Sequence, residues 1–511
     1  MNVKLRSLVA ATIAGSFVLG FGTNAMADST DDIVNALIAK GVLTEEEGAL
    51  LMKGRAGEKE AAEEKKKSAV SAKLKDGLTF ESGDGSFKAQ VNGRAHADYR
   101  FYDMNEGDNN AALAGATVTN SLGGGAAGTN PNNASAGSDT GELRRARLGF
   151  KVNYKDVYEG EVVADLTGTS STVDVAYLNV AWWKPVQFRF GVFKMPQALE
   201  QLTSSNNIDF IERSYIDQMI AGKEMGAMVH GSPFKGITYA LAASNGNGRD
   251  LETDVREDGK DVTGRVTANF AEILDNKEMV LHAGLSYSQG DTPEGAVGVN
   301  GRTEGRGIRF FRAPTLGNAA GTFSGIDRER TGVEGAVAYG PFKVQGEWLR
   351  QGNEFETTTG AVNKNYDLDT ESWYISALWT ITGESYADAY KNGAFSSRKP
   401  KKDFDPTTFS GGLWEIGARY SEFDASDFNT AGVGIANGTD ADVTTKAAGF
   451  AKADSWTLGL KFVPNANTRL MLNYVQTDFS DVIGGATGGV VINNKRVDDE
   501  KALMMRAQWM F

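Results

Sequence analysis

The 511-residue chain has no cysteine, only 10 prolines and only 3 histidines. Without thiols there is no disulfide framework, no thiol catalysis and no Cys-ligated zinc. The histidines, His96, His230 and His282, stand far apart and none has metal-ligand spacing. No Gly-x-Ser-x-Gly, Walker loop or His-Glu-x-x-His occurs, so neither an enzyme nor a bound cofactor is expected. Scarce proline beside 61 glycines rules out both a collagen repeat and a Pro-rich disordered chain. The formal net charge of -13 argues against a nucleic-acid binder, which needs a basic footprint. Beyond residue 27 no apolar run reaches the length of a spanning helix.

What is present begins with a leader. Lys4 and Arg6 precede an apolar run from Leu8 to Gly22, and Ala25-Met26-Ala27 supplies a small-x-small cleavage site. Residues 1–27 are therefore expected to be a removed signal peptide, and the protein to be exported. Residues 28–86 read as a charged, helical periplasmic segment. Ile33, Leu37 and Ile38 recur at helical spacing, and Thr44-Glu45-Glu46-Glu47 forms a capping box. The Glu/Lys/Ala run from Glu58 to Lys67 fits a solvated spacer or a short coiled coil; the heptads are too few to decide.

From residue 87 the period becomes two. Phe87, Ala89, Val91, Gly93, Ala95, Ala97, Tyr99 and Phe101 share one face, while Lys88, Gln90, Asn92, Arg94, His96, Asp98 and Arg100 share the other. Ordinary strands run about five or six residues, whereas a membrane-crossing strand needs roughly 9–11. The same alternation recurs in Ala146–Tyr154, Val262–Phe270 and Phe342–Trp348. Strands are expected near 87–102, 142–154, 158–167, 172–183, 187–194, 223–231, 237–244, 260–270, 279–289, 329–339, 342–351, 371–382, 412–423, 454–463, 468–478 and 501–511. Short turns such as Gly340-Pro341 alternate with long loops at 103–141, 195–222, 291–327, 353–370, 425–453 and 479–499. Residues 87–511 thus read as an all-β transmembrane barrel of about 16 antiparallel strands, apolar outside and polar inside. A hairpin hidden in 383–411 would raise the count to eighteen. Sixteen strands enclose an aqueous channel. The terminal Phe511 on a period-two strand fits an address for the outer-membrane assembly machinery, and the bacterial outer membrane is the expected location.

Four stretches carry a resemblance. They are Glu142-Leu143-Arg144-Arg145-Ala146-Arg147-Leu148-Gly149; Phe193-Lys194-Met195-Pro196 with Phe210-Ile211-Glu212-Arg213-Ser214; Asp327-Arg328-Glu329-Arg330 through Tyr339-Gly340-Pro341-Phe342; and Leu378-Trp379-Thr380-Ile381-Thr382-Gly383-Glu384-Ser385 with Lys399-Pro400-Lys401. Together they resemble the phosphate-selective porin O and P family. The resemblance implies a trimeric 16-stranded channel with an inward third loop, an inward-folding periplasmic turn and an arginine ladder. It places Lys194 and Arg213 on the constricting third loop. Two features depart from a phosphate site: Asn206-Asn207 stand where a basic residue would suit an anion, and the fifth long loop carries Arg302, Arg306, Arg309 and Arg312 but no lysine.

Parity sorts the strand charges. Lys88, Arg94, Arg100, Arg145, Arg147, Lys151, Arg189, Arg265 and Arg330 point inward, with Lys343, Arg419, Lys461, Arg469 and Arg506: fourteen cations. Eight acids share that face: Asp98, Glu159, Glu161, Asp165, Asp261, Glu334, Glu347 and Glu415. A surplus of six positive charges in the lumen predicts passive diffusion with a preference for small anions, phosphate among them. Individual arginines fit equally well as braces that pair with acids across strands. A general or acidic-sugar porin, or a structural or adhesive protein acting through its loops, remains an alternative. Outer-membrane lipid and lipopolysaccharide are the expected surroundings; the four fifth-loop arginines fit binding of lipopolysaccharide phosphates.

Overall fold

A computed structural model describes residues 34, 38–41, 43–50, 52–53, 70–74, 77–104, 121–122, 138–167, 172–246, 260–292, 295–317, 325–359, 362–429, 443–483, 488–492 and 495–511. The expected leader and the Glu58–Lys67 run lie outside them. The chain divides into two units, which are taken separately here. In the N-terminal unit the capping box forms as the sequence dictates. The Glu47 backbone N–H donates to Thr44 Oγ1 at 3.2 Å, and Thr44 N–H donates to Glu47 Oε2 at 3.0 Å. The helix it opens is short, at residues 45–50.

The second unit is a closed antiparallel barrel. Its sixteen strands are β1 (Phe87–Asp103), β2 (Thr140–Tyr154), β3 (Tyr158–Asp165), β4 (Thr172–Trp183), β5 (Val186–Lys194), β6 (Lys223–Phe234), β7 (Ile237–Ser244), β8 (Asp261–Asn269), β9 (Met279–Thr292), β10 (Ile326–Tyr339), β11 (Phe342–Thr359), β12 (Val362–Thr380), β13 (Leu413–Asp424), β14 (Ala448–Asn465), β15 (Thr468–Ile483) and β16 (Asp499–Met510). Each pairs with its sequence neighbours, and β16 pairs back onto β1 from Lys501↔Asp103 to Met510↔Arg94. Phe511 completes the seam: its N–H donates to Gly93 O at 3.1 Å, and its ring lies where a Cβ on Gly93 would be. Among the described residues no helix is long and apolar enough to cross a membrane.

Burial is inverted relative to a water-soluble protein. Leu148, Phe150, Val162, Phe188, Phe190, Val266, Leu285, Val333, Ile375 and Leu458 are exposed on the outer face. Charged and polar partners at alternate positions, such as Arg265, Glu334 and Arg506, are buried within. Aromatics collect near strand ends: Trp379 stacks on Phe342 with centroids 6.0 Å apart, and Trp414 on Phe462 at 4.2 Å. This is the girdle pattern of a membrane barrel.

Two expectations change, and one open alternative closes. Residues 353–370 are not a loop, because β11 and β12 continue as one ladder to Thr359↔Val362. Residues 28–86 are not helical throughout: Val70–Leu74 and Leu78–Ser82 are strands, and Leu78–Ser82 pairs with β1. Leu78 and Phe80 alternate there with Thr79 and Glu81, a period of two that the charge of the neighbouring run obscures. The segment 383–411 adds no barrel strand. It holds a turn of 3₁₀ helix at Ala387–Ala389 and a two-residue ladder between Tyr390–Lys391 and Ala394–Phe395. Tyr386 and Phe395 pack against Val280, Ala336, Ala338 and Leu378 of the wall, so the part from Tyr386 to Phe395 folds inward.

Candidate permeation pathway

The loop between β5 and β6, L3 (residues 195–222), sets the pathway. Leu199, Ile211, Tyr215 and Met219 are fully buried, so a loop that sequence position alone would leave in water must find an apolar surface. It finds it across the barrel. Ile211 packs on Met471, Val475, Ala502 and Met504, and Ile216 and Met219 pack with Leu349 and Tyr374.

Polar contacts then fix it. Glu347 on β11 accepts the backbone N–H groups of Leu199 and Glu200, each at 2.7 Å. Lys343 pairs with Asp209 at 2.7 Å. Arg506 donates to Ile211 O at 2.6 Å and pairs with Asp98 at 2.7 Å. The loop between β9 and β10, L5 (residues 293–325), also turns inward. Its Phe310 and Phe311 are fully buried among Tyr215, Phe423, Phe428 and Phe450. Arg419 on β13 joins the two loops, reaching Glu200 at 3.1 Å and Glu304 at 2.5 Å.

These loops fill the half of the barrel made by β10–β16. Against the other half an open cavity of about 910 Å³ remains. Its lining includes ten basic side chains: Arg94, Arg144, Arg145, Arg147, Arg189, Lys194, Arg213, Lys223, Arg265 and Lys391. Five acids face them: Glu159, Glu161, Asp165, Asp174 and Asp217.

Register builds the basic wall. Arg94 on β1 stands directly opposite Arg147 on β2, and His96 opposite Arg145. Successive inward positions on β2 are about 7 Å apart, so Lys151, Arg147 and Arg145 form rungs along the wall. Like charges set face to face destabilise a sheet. Here the cost is offset at Lys151, which pairs with Glu159, and at Arg147. Arg147 pairs with Asp165 at 2.8 Å and Asp174 at 2.7 Å, and Lys223 also pairs with Asp174.

Arg94 has no carboxylate partner among the described residues; its guanidinium donates to Ser205 Oγ of L3 at 3.0 Å. Arg145 is more than nine-tenths buried, and its Nε and Nη1 find no acceptor among the described residues. An uncompensated buried guanidinium is costly, and it faces the cavity.

Of the eleven residues expected from sequence, seven line this cavity: Arg94, Arg145, Arg147, Arg189, Lys194, Arg213 and Arg265. Their roles differ. Arg189 lies over the Tyr177 ring at 4.3 Å. Arg265 pairs with Glu334 and donates to Gly393 O of the inward turn at 2.9 Å. Lys194 and Arg213 hold L3 itself. Lys194 donates to the carbonyls of Gln201, Leu202 and Thr203, and Arg213 to those of Glu200 at 3.0 Å and Thr203 at 2.9 Å.

The other four lie off the cavity. Lys88 sits near Glu81 at 3.8 Å and Asp156 at 4.0 Å, and Lys151 pairs with Glu159 at 3.1 Å. Arg100 is enclosed by Asp98, Glu142 and Glu212 beneath L3. Arg330 pairs with Asp261 at 3.0 Å.

Parity also missed lining groups. The β1–β2 register shifts after His96, which brings Arg144 inside, where it pairs with Glu212 at 2.8 Å. A charged residue at an outward position was the available signal. Asp174 stands between Val173 and Val175 and was equally readable. Part of L5 is tied to L3: Arg302 N–H donates to Gln218 of L3 at 2.8 Å, and Arg302 Nη2 donates to Arg306 O. The histidines bind polar neighbours, His96 with Asn206 and His282 with Tyr390 and Glu334. No cluster of potential metal ligands occurs among the described residues.

The chain is similar to known proteins. The family described as phosphate-selective porin O and P matches residues 123–511. Porin O of Pseudomonas aeruginosa is 27% identical over 474 residues, which cover 86% of this chain and 92% of that one. Among solved structures, an anion-selective porin from Comamonas acidovorans is 12% identical, covering 83% of this chain and 100% of its own, with a TM-score of 0.47. OmpT of Vibrio cholerae is 10% identical, covering 83% and 98%, with a TM-score of 0.45. A sixteen-stranded barrel narrowed by an inward third loop, matched by a family profile over most of its length, belongs to the phosphate-selective porin O and P family and is an outer-membrane channel.

Proposed function

We propose that the channel passes small inorganic and organic anions by passive diffusion, and that the wall of β1 and β2 sets this preference. The observation that carries the reading is the pair Arg94 and Arg145, two cavity-lining guanidinium groups without a carboxylate partner among the described residues. A paired arginine presents a dipole to the solute; an unpaired one presents a full charge. Guanidinium is weakly hydrated and offers two parallel N–H groups that match a phosphate or carboxylate edge. An anion exchanges part of its water for these donors, and a cation meets repulsion at the same place. The neighbouring carboxylates Asp165, Asp174 and Glu161 keep such sites weak enough for release. The reading concerns charge and leaves phosphate as one anion among several, because L3 offers Asn206 and Asn207 in place of further cations.

Reversal potentials in planar bilayers under a potassium chloride gradient test this. An anion-side potential supports it; a cation-side potential overturns it. We also infer a homotrimer, on family membership alone, to be tested by the mass of the detergent-solubilised protein.

A further inference from the structure

The outer face of β11–β16 is not evenly convex. A groove of about 650 Å³ runs along it, lined almost wholly by apolar side chains. Its floor is the cross-strand pair Ala377↔Ala418, two methyl groups where neighbouring outward positions carry large side chains. Val344 and Trp379 rise on one side, Leu458 and Tyr474 on the other.

The groove ends at the short-turn, periplasmic rim, and that rim is basic and aromatic. Lys402 O accepts Gly412 N–H at 2.8 Å, which places Lys402 just below the start of β13. Lys401 Nζ donates to Gly383 O at 2.8 Å, just beyond the end of β12. Neither ammonium has a carboxylate partner among the described residues. The same turn sits on the lipid side of the wall, because the Phe404 ring packs on outward-facing Phe462 at 5.1 Å. Phe409, at the tip of this turn, is 84% exposed and touches only the edge-on Phe404 ring, 6.2 Å away, among the described residues. Outward positions Trp414, Ile416 and Ala418 climb from this rim into the groove at about 7 Å per step.

We propose that the groove and the Lys401–Lys402 pair form a binding site for an anionic glycerophospholipid of the periplasmic leaflet. One acyl chain lies over Ala377 and Ala418, the phosphate sits between the two ammonium groups, and Phe409 enters the interface beside it. Charge complementarity selects this occupant. An apolar groove alone would take any chain, but two uncompensated ammonium groups at headgroup depth select a net negative headgroup, each contributing attraction near the surface. The site is separate from the conduit, so it bears on membrane seating and not on permeation.

The test uses the full-length protein, delipidated in mild detergent. Dioleoyl phosphatidylglycerol or dioleoyl phosphatidylcholine is added, and retained lipid is counted by native mass spectrometry. Retention of the glycerol lipid on the order of tenfold above the choline lipid is expected. Lys401→Gln with Lys402→Gln should bring that ratio close to one. Ala418→Trp should fill the groove and abolish retention of both lipids, with heat-modifiable gel mobility and conductance unchanged to show an intact barrel. Equal retention of the two lipids by the unaltered protein would overturn the proposal. So would undiminished retention in Ala418→Trp. Cross-linking between copies of an Ala418→Cys variant would also overturn it, by placing a second chain in the groove.

Discussion

Arg145→Ala separates a selectivity charge from a bracing charge. The native guanidinium is more than nine-tenths buried, with two nitrogens lacking acceptors. A charge at about 5 Å from a permeating ion interacts with it by about 0.8 kcal/mol in water and about 3 kcal/mol at an effective dielectric near 20. The lower figure suits a water-filled conduit at moderate salt, where the Debye length is about 10 Å. Its sign is opposite for anion and cation, so the ratio of the two permeabilities changes by about 1.5 kcal/mol, roughly a tenfold loss of anion preference. Stability should move the other way. The substitution strands no carboxylate and removes unsatisfied buried donors, each costing about 1–3 kcal/mol. The barrel should therefore unfold at an unchanged or higher temperature. The assay is the reversal potential under a tenfold salt gradient, paired with a heat-modifiability series on the same sample. A correctly folded variant with the native reversal potential would refute the reasoning, because it would mean that the unpaired guanidinium does not face the ion path. A loss of thermal stability would refute the other half, by showing an unrecognised partner.

Arg419→Ala should do the reverse, stranding Glu200 and Glu304 and releasing both inward loops; a loss of about 3–5 kcal/mol in stability and noisier, larger conductance steps are expected in thermal melts and single-channel records. Arg147→Ala removes the guanidinium that faces both Asp165 and Asp174, although Asp174 keeps Lys223, so the reversal potential should shift towards cations further than in Arg145→Ala. Lys194→Met removes the donor to three L3 carbonyls without touching an ion pair; it should alter conductance and its fluctuations more than the anion-to-cation ratio. In the N-terminal segment, the Thr44 backbone N–H and hydroxyl hold the Glu47 carboxyl below the usual range. Its contribution to the helix is present above the unfolded carboxylate pKa and is lost as pH falls through the lowered one. Circular dichroism of a 38–53 peptide should show that loss on acidification, and Thr44→Ala should remove the pH dependence.

The wall was legible because lipid reads every second residue. Where polar residues outnumber apolar ones on both faces, that reading stops. β11 and β12 run eight residues or more beyond the expected ends through Asn353, Glu354, Lys364 and Asp367. The few apolar residues there, Phe355 and Leu368, are buried against the L5 cluster, and their period is lost among polar neighbours. Arg144 was hidden by a different cause. One extra residue after Glu142 reverses parity, and a bulge leaves no local mark beyond a charge on the wrong side. The inward loops were hidden by distance. Arg419 and Glu200 stand 219 positions apart, and nothing near either residue names the other.

That last point decides what the charge inventory means. Counting by face predicted fourteen cations and eight acids in the lumen. The parity was sound for Lys343, Arg419 and Arg506, all inward and buried. Yet each of these is spent on L3 or L5: Lys343 on Asp209, Arg419 on Glu200 and Glu304, Arg506 on Glu212 and the Ile211 carbonyl. The loops carry carboxylates to the β10–β16 wall and cancel its charge there. On β1 and β2, L3 carries Glu212 to Arg100 and Arg144 but meets Arg94 with the neutral hydroxyl of Ser205. The field in the conduit therefore depends on which arginines the loops neutralise, not on the total. Moving a carboxylate into L3 at Ser205 tests this directly. Ser205→Asp would place an acid within reach of Arg94 and should lower anion preference much as Arg94→Ala does, while leaving every strand charge in place. If Ser205→Asp left the reversal potential untouched and Arg94→Ala shifted it, the loop would not be the element that decides which arginines the ion meets.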